Sequence, residues 1–139
     1  MKATTNLDVI ISVRNYLLSK LTKDSDVKKV YSIKHPSKNL PDKFYLVKSL
    51  TQKDYGSIDQ RGVIEICAYA KNLNQVDDQT QPDLSSLKSM VNAIYPFLDD
   101  AIIDNIAILS INSTTVSDSA IGYHYESLIC ETLSIKQIK

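Results

Sequence analysis

The chain has 139 residues, of which 43% are hydrophobic and 23% are charged. This length and composition predict one folded domain over residues 1–139 and exclude a wholly disordered chain. The 16 basic and 16 acidic residues balance, so the chain lacks the overall field that draws proteins to nucleic acid or to anionic membranes.

The N-terminal segment begins with a lysine and then turns apolar, as a signal peptide does. Asp8, Arg14 and Asn15 interrupt its apolar stretch, which argues against a secretory leader. No apolar run approaches the roughly 18 residues that a membrane span needs. We therefore expect an intracellular protein without a membrane partner.

Two cysteines, Cys67 and Cys130, lie in apolar runs typical of strands. We expect buried, reduced thiols that act as small apolar side chains. A disulfide would require adjacent strands with matching faces, which the sequence leaves open. The cysteines and the two histidines are far apart along the chain, so no metal-ligand spacing exists, and we expect no cofactor.

The first predicted element is a helix over residues 5–22, with Thr5 as its N-cap and Asp8 in its first turn. Its apolar residues recur at helical spacing, and further apolar residues widen that face beyond a single stripe. A helix so apolar is expected to contact something on two sides, either the second helix of the fold or another subunit. Arg14 falls inside the apolar arc and is expected at its edge, with the stem buried. The recurring residues are Leu7, Ile10, Ile11, Leu17, Leu18 and Leu21.

Two strands are predicted next, over residues 27–36 and 44–50. Pro36 ends the first strand, and Pro41 keeps the connection between them irregular. The polar segment 51–62 follows, either as a loop or as the tip of an extended hairpin.

The phrase GVIEICAYAKN, residues 62–72, predicts a central strand. One of its faces is uninterrupted and is expected to pack under the helices; it consists of Ile64, Ile66, Ala68 and Ala70. The other face is mixed and suits solvent or a partner; it consists of Val63, Glu65, Cys67 and Tyr69.

A second helix is predicted from the cap at Asp83, ending near Tyr95 or kinking there because Pro96 interrupts the pattern. A strand over residues 106–111, a polar loop over 112–122 and a long last strand over 123–136 complete the chain. The last strand is apolar on both faces, which leaves its register open and allows a bulge. The order α-β-β-β-α-β-β predicts an α+β fold, an antiparallel sheet with two helices packed on one face.

Residues suited to catalysis are sparse. His124 and Glu126 share a strand face, which permits an acid/base pair, although cross-strand pairing is the commoner role. The two Asp-Asp pairs lack the spacing of an EF-hand loop. The three glycines form neither a phosphate loop nor a dinucleotide fingerprint. We therefore expect a protein that is not an enzyme.

With its elements in order, the chain resembles the tail terminator, tail-completion and neck proteins of long-tailed bacteriophages and prophages. The segments that carry this resemblance are VYSIKHP, TQKDYGSIDQRG, GVIEICAYAKN and DLSSLKSMVNAIYPFL. It implies a structural virion protein that forms a homo-oligomeric ring, closes the tail tube and meets the neck or connector. It also implies a place in the host cytoplasm during assembly and in the virion afterwards.

On this hypothesis the polar segments 51–61 and 112–122 are mobile in the free subunit and dock on the next ring. Their few apolar residues are the expected contacts: Tyr55, Ile58, Val116 and Ile121. The alternative is that both segments are passive hairpin tips. The alternative for the whole protein is a small ligand-binding or enzyme-accessory α+β domain of bacterial origin.

Overall fold

The computed structural model describes residues 4–21, 27–54, 56 and 58–136, and in them two helices and six strands follow one another. This composition confirms the α+β class. In chain order the elements are α1 (Asn6–Lys20), β1 (Val30–Ser32), β2 (Lys43–Asp54), β3 (Asp59–Lys71), α2 (Leu84–Leu98), β4 (Ile102–Ile103), β5 (Ile106–Asp118) and β6 (Tyr123–Ile135).

The six strands form one mixed sheet in the order β1-β2-β3-β6-β5-β4. The prediction of a wholly antiparallel sheet is wrong, because β1 pairs with β2 in parallel. The cause is the connection of residues 33–42, which contains Pro36 and Pro41. It carries the chain back to the end of the sheet at which β1 began, as a parallel pair requires. All the other strand pairs are antiparallel.

Helix α1 begins as predicted. Thr5 accepts a hydrogen bond from the backbone of Asp8, and the Asp8 carboxylate accepts one from the backbone of Thr5, which completes a capping box. The buried face is narrower than expected. Leu7 and Ile11 are both more than half exposed, so the prediction that they belong to the packed stripe is wrong. The buried residues are Val9, Ile10, Val13 and Leu17.

Helix α2 begins at the predicted cap, where the Asp83 side chain accepts a hydrogen bond from the backbone of Ser86. It continues through Pro96 to Leu98, so the predicted end near Tyr95 is wrong. Pro96 lies in the last helical turn and is exposed. There it removes one hydrogen bond to the exposed Asn92, whose carbonyl water can satisfy.

Two segments predicted to be loops are largely strand. Residues 51–54 and 59–61 belong to β2 and β3, so the hairpin interpretation of this segment is confirmed and the loop interpretation is wrong. Residues 112–118 belong to β5 and pair with β6 along their whole length. Their side chains are mostly polar because both faces of the strand are exposed to solvent here. Their threonines and valine favour an extended backbone. The mobile loop predicted over 112–122 is therefore reduced to the turn at 119–122.

The sheet has a helix-covered face and a helix-free face. On the first, Ile64, Ile66 and Ala68 of β3 pack with α1 and α2 in the main core, as predicted. The mixed face of β3 is less open than expected, since Cys67 and Tyr69 are buried. They form a second core with Phe44, Leu46 and Tyr123, over which residues of the 33–42 connection pack.

Two irregularities adjust the register of the sheet. One lies between Ser49 and Thr51 in β2, and the other between Ile108 and Ser110 in β5. The bulge that the sequence allowed in the last strand is thus in the strand beside it. Strand β4, which the sequence did not predict, pairs with β5 only at Ala107 and Ile106.

Candidate functional site: an open edge of the sheet

The outer edge of β5 is the longest unpaired backbone in the described part of the sheet. Strand β4 covers its first two residues, and the Ile108 amide donates to Ala101 at 2.9 Å. From there to Asp118, the described residues place no further strand along it. Residues 109–118 of β5 are hereafter called the open edge.

The direction of each backbone group on the open edge follows from this pairing. Because the Ile108 amide points toward β4, Ile108 and Thr132 form a non-hydrogen-bonded pair with respect to β6. After the bulge at Leu109, the backbone groups of successive residues alternate between the two sides of the strand. Those of Ser110 point toward β6, and those of Ile111 point outward. The outward N–H and C=O groups are therefore those of Ile111, Ser113, Thr115 and Ser117.

The open edge has few of the features that usually protect an edge strand: its bulge lies at its start, at Leu109, and its one charged residue, Asp118, lies at its end. Residues 109–117 contain no charged residue and no proline. Their sequence, LSINSTTVS, is rich in β-branched and hydroxyl side chains, which suit strand pairing.

The opposite edge of the sheet differs. The outward carbonyl of Val30 in β1 accepts from Arg14 Nε at 3.2 Å, and that of Ser32 accepts from the Lys34 amide at 2.7 Å. Arg14 is thus half-buried, and its guanidinium contacts a backbone carbonyl. Beyond β1, the edge of β2 is interrupted by its bulge and carries Lys53 and Asp54. Among the described residues, only the β5 side presents a long edge that is uncharged, over residues 109–117.

A groove of about 340 Å³ runs along the helix-covered face between α2 and the open edge. Its wall on the side of α2 is apolar. Val91 is half-buried there, and Leu84 and Tyr95 are exposed. Ser113 of the open edge and Glu126 of β6 lie opposite. The lining residues are Leu84, Leu87, Lys88, Val91, Asn92, Tyr95, Ser113, Glu126 and Leu128.

The helix-free face has a polar centre. Glu65 is 3.8 Å from the Lys48 ammonium and accepts a hydrogen bond from Ser127 at 2.5 Å. Beyond this group, Leu109 and Ile129 are partly exposed beside a second groove of about 290 Å³. This face therefore exposes only small apolar areas between charged groups.

The predicted contact residues lie at opposite ends of the sheet. Ile58 is about half exposed beside the tip of the β2–β3 hairpin, and Tyr55 lies outside the described residues. Val116 is in strand β5, and Ile121 is in the turn that follows it. Since β3 spans 13 residues between these ends, they are about 40 Å apart. The structure does not bring the three described residues together.

Val116 and Ile121 both make contacts within the domain. Val116 pairs with Tyr125, and Ile121 packs against the second core. The Ile121 amide also donates to Asp118 at 3.3 Å. The expectation of a loop is wrong for Val116, because strand pairing extends to Asp118, whereas Ile121 lies in the turn that remains of the predicted loop.

The two histidines have separate partners. His124 Nδ1 is 2.6 Å from the Asn72 side-chain oxygen, whereas Glu126 accepts from Thr115 at 2.6 Å. Glu126 thus bonds across the strands, but to a hydroxyl and not to a charged group. His35 packs against Phe44 at the second core. Among the described residues, no three histidine, cysteine or acidic side chains form a group that suits a metal ion.

Both cysteines are free, and they lie in different cores. Burial raises the pKa of the Cys67 thiol to about 12, and Glu65 adds to this effect. Burial also raises the pKa of the Cys130 thiol to about 12. The expected role as small apolar side chains is confirmed, and the placement on opposite faces excludes a disulfide between them.

The sequence does not predict the open edge. Three of its four outward residues, Ser113, Thr115 and Ser117, fall in the predicted polar loop 112–122, because Ser, Thr and Asn dominate that segment. The signal that identifies a strand there is the β-branched content of INSTTV, residues 111–116.

Within the described residues, the helices are too short and too polar to cross a bilayer. In comparisons with known proteins, no protein-family model matches the chain, and no curated protein matches it significantly.

Proposed function

We propose that the chain is a structural subunit of a phage or prophage virion, a tail terminator or head–tail joining protein that acts as a homo-oligomeric ring. The observation that carries this proposal is the open edge. An uncharged strand edge of this length favours pairing with another chain, and a protein built to remain a monomer usually protects such an edge. An assembly subunit has a use for it.

The two ends of the sheet support a role in stacking. Ile58 exposes an apolar side chain beside the hairpin tip, about 40 Å from the turn that holds Ile121. Surfaces at both ends of the sheet suit a subunit that contacts tail-tube protein and the neck or connector. The proposed partners are therefore other copies of the chain, tail-tube protein and neck protein, in the host cytoplasm and then in the virion.

The groove beside α2 favours a second candidate, a small ligand-binding or enzyme-accessory domain. Its volume of about 340 Å³ and its apolar wall fall within the range of small-molecule sites. This candidate predicts a monomer or dimer whose stability increases when an apolar ligand is added.

The mass of the full chain in solution, alone and with tail-tube protein, separates these candidates. The ring predicts assemblies of three or more subunits. A protein that stays a monomer or dimer at all concentrations, even with tube protein, would count against the ring and in favour of the second candidate.

A matched pair of variants tests the stacking role. Ile58→Asp places a charge beside the hairpin tip, whereas Val76→Asp places one at a fully exposed apolar residue of the 72–82 connection. We expect both proteins to fold, and only Ile58→Asp to lower the yield of joined particles. Equal yields of joined particles from the two variants would show that the hairpin tip is not part of the assembly contact.

A further inference from the structure

The geometry points to a specific occupant of the open edge: β5 of a second copy of this chain, paired antiparallel about a two-fold axis at Thr114. This inference rests on the homo-oligomer of the proposed function and specifies one of its contacts. The sheets of the two copies would join into one continuous sheet, with β5 of each copy at the seam.

The backbone directions allow this register. Hydrogen-bonded pairs across the seam must join outward residues of one copy to outward residues of the other. With the axis at Thr114, Ile111 faces Ser117 of the other copy and Ser113 faces its Thr115. Each such pair occurs twice, so all four outward residues of both copies are satisfied.

The side chains are also self-complementary. Between the hydrogen-bonded pairs, Thr114 faces the same residue of the other copy, and Asn112 faces Val116. No charged residue meets a like charge across the seam, because residues 109–117 are uncharged. The opposite edge is a poorer partner, since Arg14 already occupies the outward carbonyl of Val30 in β1.

The helices leave room for the pairing. Helix α2 packs over β3 and β6, on the inner side of β5. At about 4.8 Å between strands, the two α2 axes would lie about 19 Å apart across the seam. A helix with its side chains is roughly 10–12 Å wide, so the two helices do not collide. The two apolar grooves would face each other across the seam.

The pairing has a consequence for the assembly. A two-fold contact uses the same surface on both subunits and closes on itself, so it produces a dimer and no further growth. A ring that contains this dimer needs a second kind of contact and holds an even number of subunits.

Cysteine cross-linking tests the register, since both native thiols are buried. In the proposed pair, Thr114 and its counterpart form a non-hydrogen-bonded pair with Cα atoms about 4.5 Å apart, within the range of a disulfide. We expect Thr114→Cys to form disulfide-linked dimers under mild oxidation.

The control, Asn112→Cys, lies roughly 13 Å from its own counterpart, and Val116→Cys is equally distant. Each of these two variants alone should form linked dimers at least about tenfold more slowly than Thr114→Cys. Only thiols that face each other across the seam have an effective concentration in the mM range. A mixture of Asn112→Cys and Val116→Cys should link like Thr114→Cys.

The outcomes separate the two proposals. Fast linking of Thr114→Cys and of the mixture, with slow linking of the controls, supports the pairing. If Thr114→Cys links no faster than Asn112→Cys while the wild-type chain forms assemblies of three or more subunits, the pairing is wrong and the proposed assembly role stands. A wild-type chain that is monomeric at every concentration, with or without tube protein, overturns both.

Discussion

The buried interior carries no formal charge among the described residues, and its few polar groups are concentrated where α1 begins. Gln60 of β3 is buried there, and its amide bonds both backbone groups of Thr4, at 2.6 and 3.2 Å. This side chain holds the entry to α1 against the sheet. The hydroxyls of Thr132 and Ser134 are buried nearby without a hydrogen-bond partner among the residues that the structure describes, and buried water commonly satisfies such groups.

The thiols give the first prediction. With the pKa of both raised to about 12, neither Cys67 nor Cys130 ionises appreciably in the folded protein at pH 8. Because the thiolate is the reactive form, a thiol reagent should label the native protein only as it unfolds. Labelling is measured by absorbance with and without urea, using Val76→Cys, at a fully exposed residue, as the accessible control. Immediate labelling of two thiols in native wild-type protein would contradict the burial.

The same pKa shift sets a pH dependence. The folded state keeps both thiols neutral, while the unfolded chain ionises them above an ordinary thiol pKa of about 8.5. Their contribution to stability is therefore complete below that pH and is lost as the pH rises toward 12.

The second prediction concerns the main core. Ile66 is fully buried between the sheet and the helices, so Ile66→Asp places an unpaired charge there. Such a charge costs roughly 3–5 kcal/mol, against a typical stability of about 5–15 kcal/mol. We expect an unfolded or strongly destabilised protein by circular dichroism and thermal melting. Val76→Asp is the control and should melt like the wild type; an unchanged Ile66→Asp would refute the assignment of faces.

At the scale of elements, the two long hairpins extend beyond the helices. In the β2–β3 hairpin the absence of a side chain at Gly62 lets the side chain of Gln52 lie across the sheet, where a Cβ at residue 62 would overlap it. The Gln52 amide donates to Ser49, which in turn donates to Asn6 of α1. At the end of this hairpin, the Lys136 ammonium is 2.7 Å from Asp54 and lowers the pKa of that carboxyl. Polar contacts thus connect the hairpin to helix α1 and to the residue that follows β6.

This packing gives the third prediction, a coupling between Gly62 and Gln52. Gly62→Ala should displace the Gln52 side chain and cost about 1 kcal/mol for the lost hydrogen bond. In a Gln52→Ala background the same change should be neutral or slightly stabilising, because alanine restricts the unfolded chain. Urea unfolding of the two single variants and the double variant measures this difference. Additive effects would show that the two residues do not contact each other in solution.

For the whole molecule, the sheet order decides which backbone groups are protected. Strands β3 and β6 are central and pair on both sides, whereas β5 pairs beyond Ala107 on one side only. Stability should therefore decrease from the centre of the sheet to the open edge.

Hydrogen exchange gives the fourth prediction. The amides of β3 and β6 should exchange slowly at every protein concentration. The outward amides of Ile111, Ser113 and Thr115 should exchange fast in dilute protein and slowly in concentrated protein, because pairing with a second copy protects them. The inward amide of Asn112 is the internal control and should be slow in both. Outward amides that exchange equally fast at all concentrations would argue against an occupied edge.

The sequence by itself determined the features that depend on local chemistry and periodicity. Thr5 and Asp83 mark the helix starts because capping needs only neighbouring residues. The alternation in β3 identified the face that contains Ile64 and Ile66 because a strand has a period of two. The buried thiols and the α+β class followed from the same patterns.

Only the tertiary structure decided the rest. The polar segments 51–54, 59–61 and 112–118 are strand because backbone pairing across the sheet outweighs their side-chain polarity. The burial of Tyr69 depends on the 33–42 connection, which folds over it from a separate part of the chain. The open edge, finally, depends on the order of the strands: β5 is left without a long neighbour because β4 is two residues long, and such pairing between distant segments leaves no local pattern in the sequence.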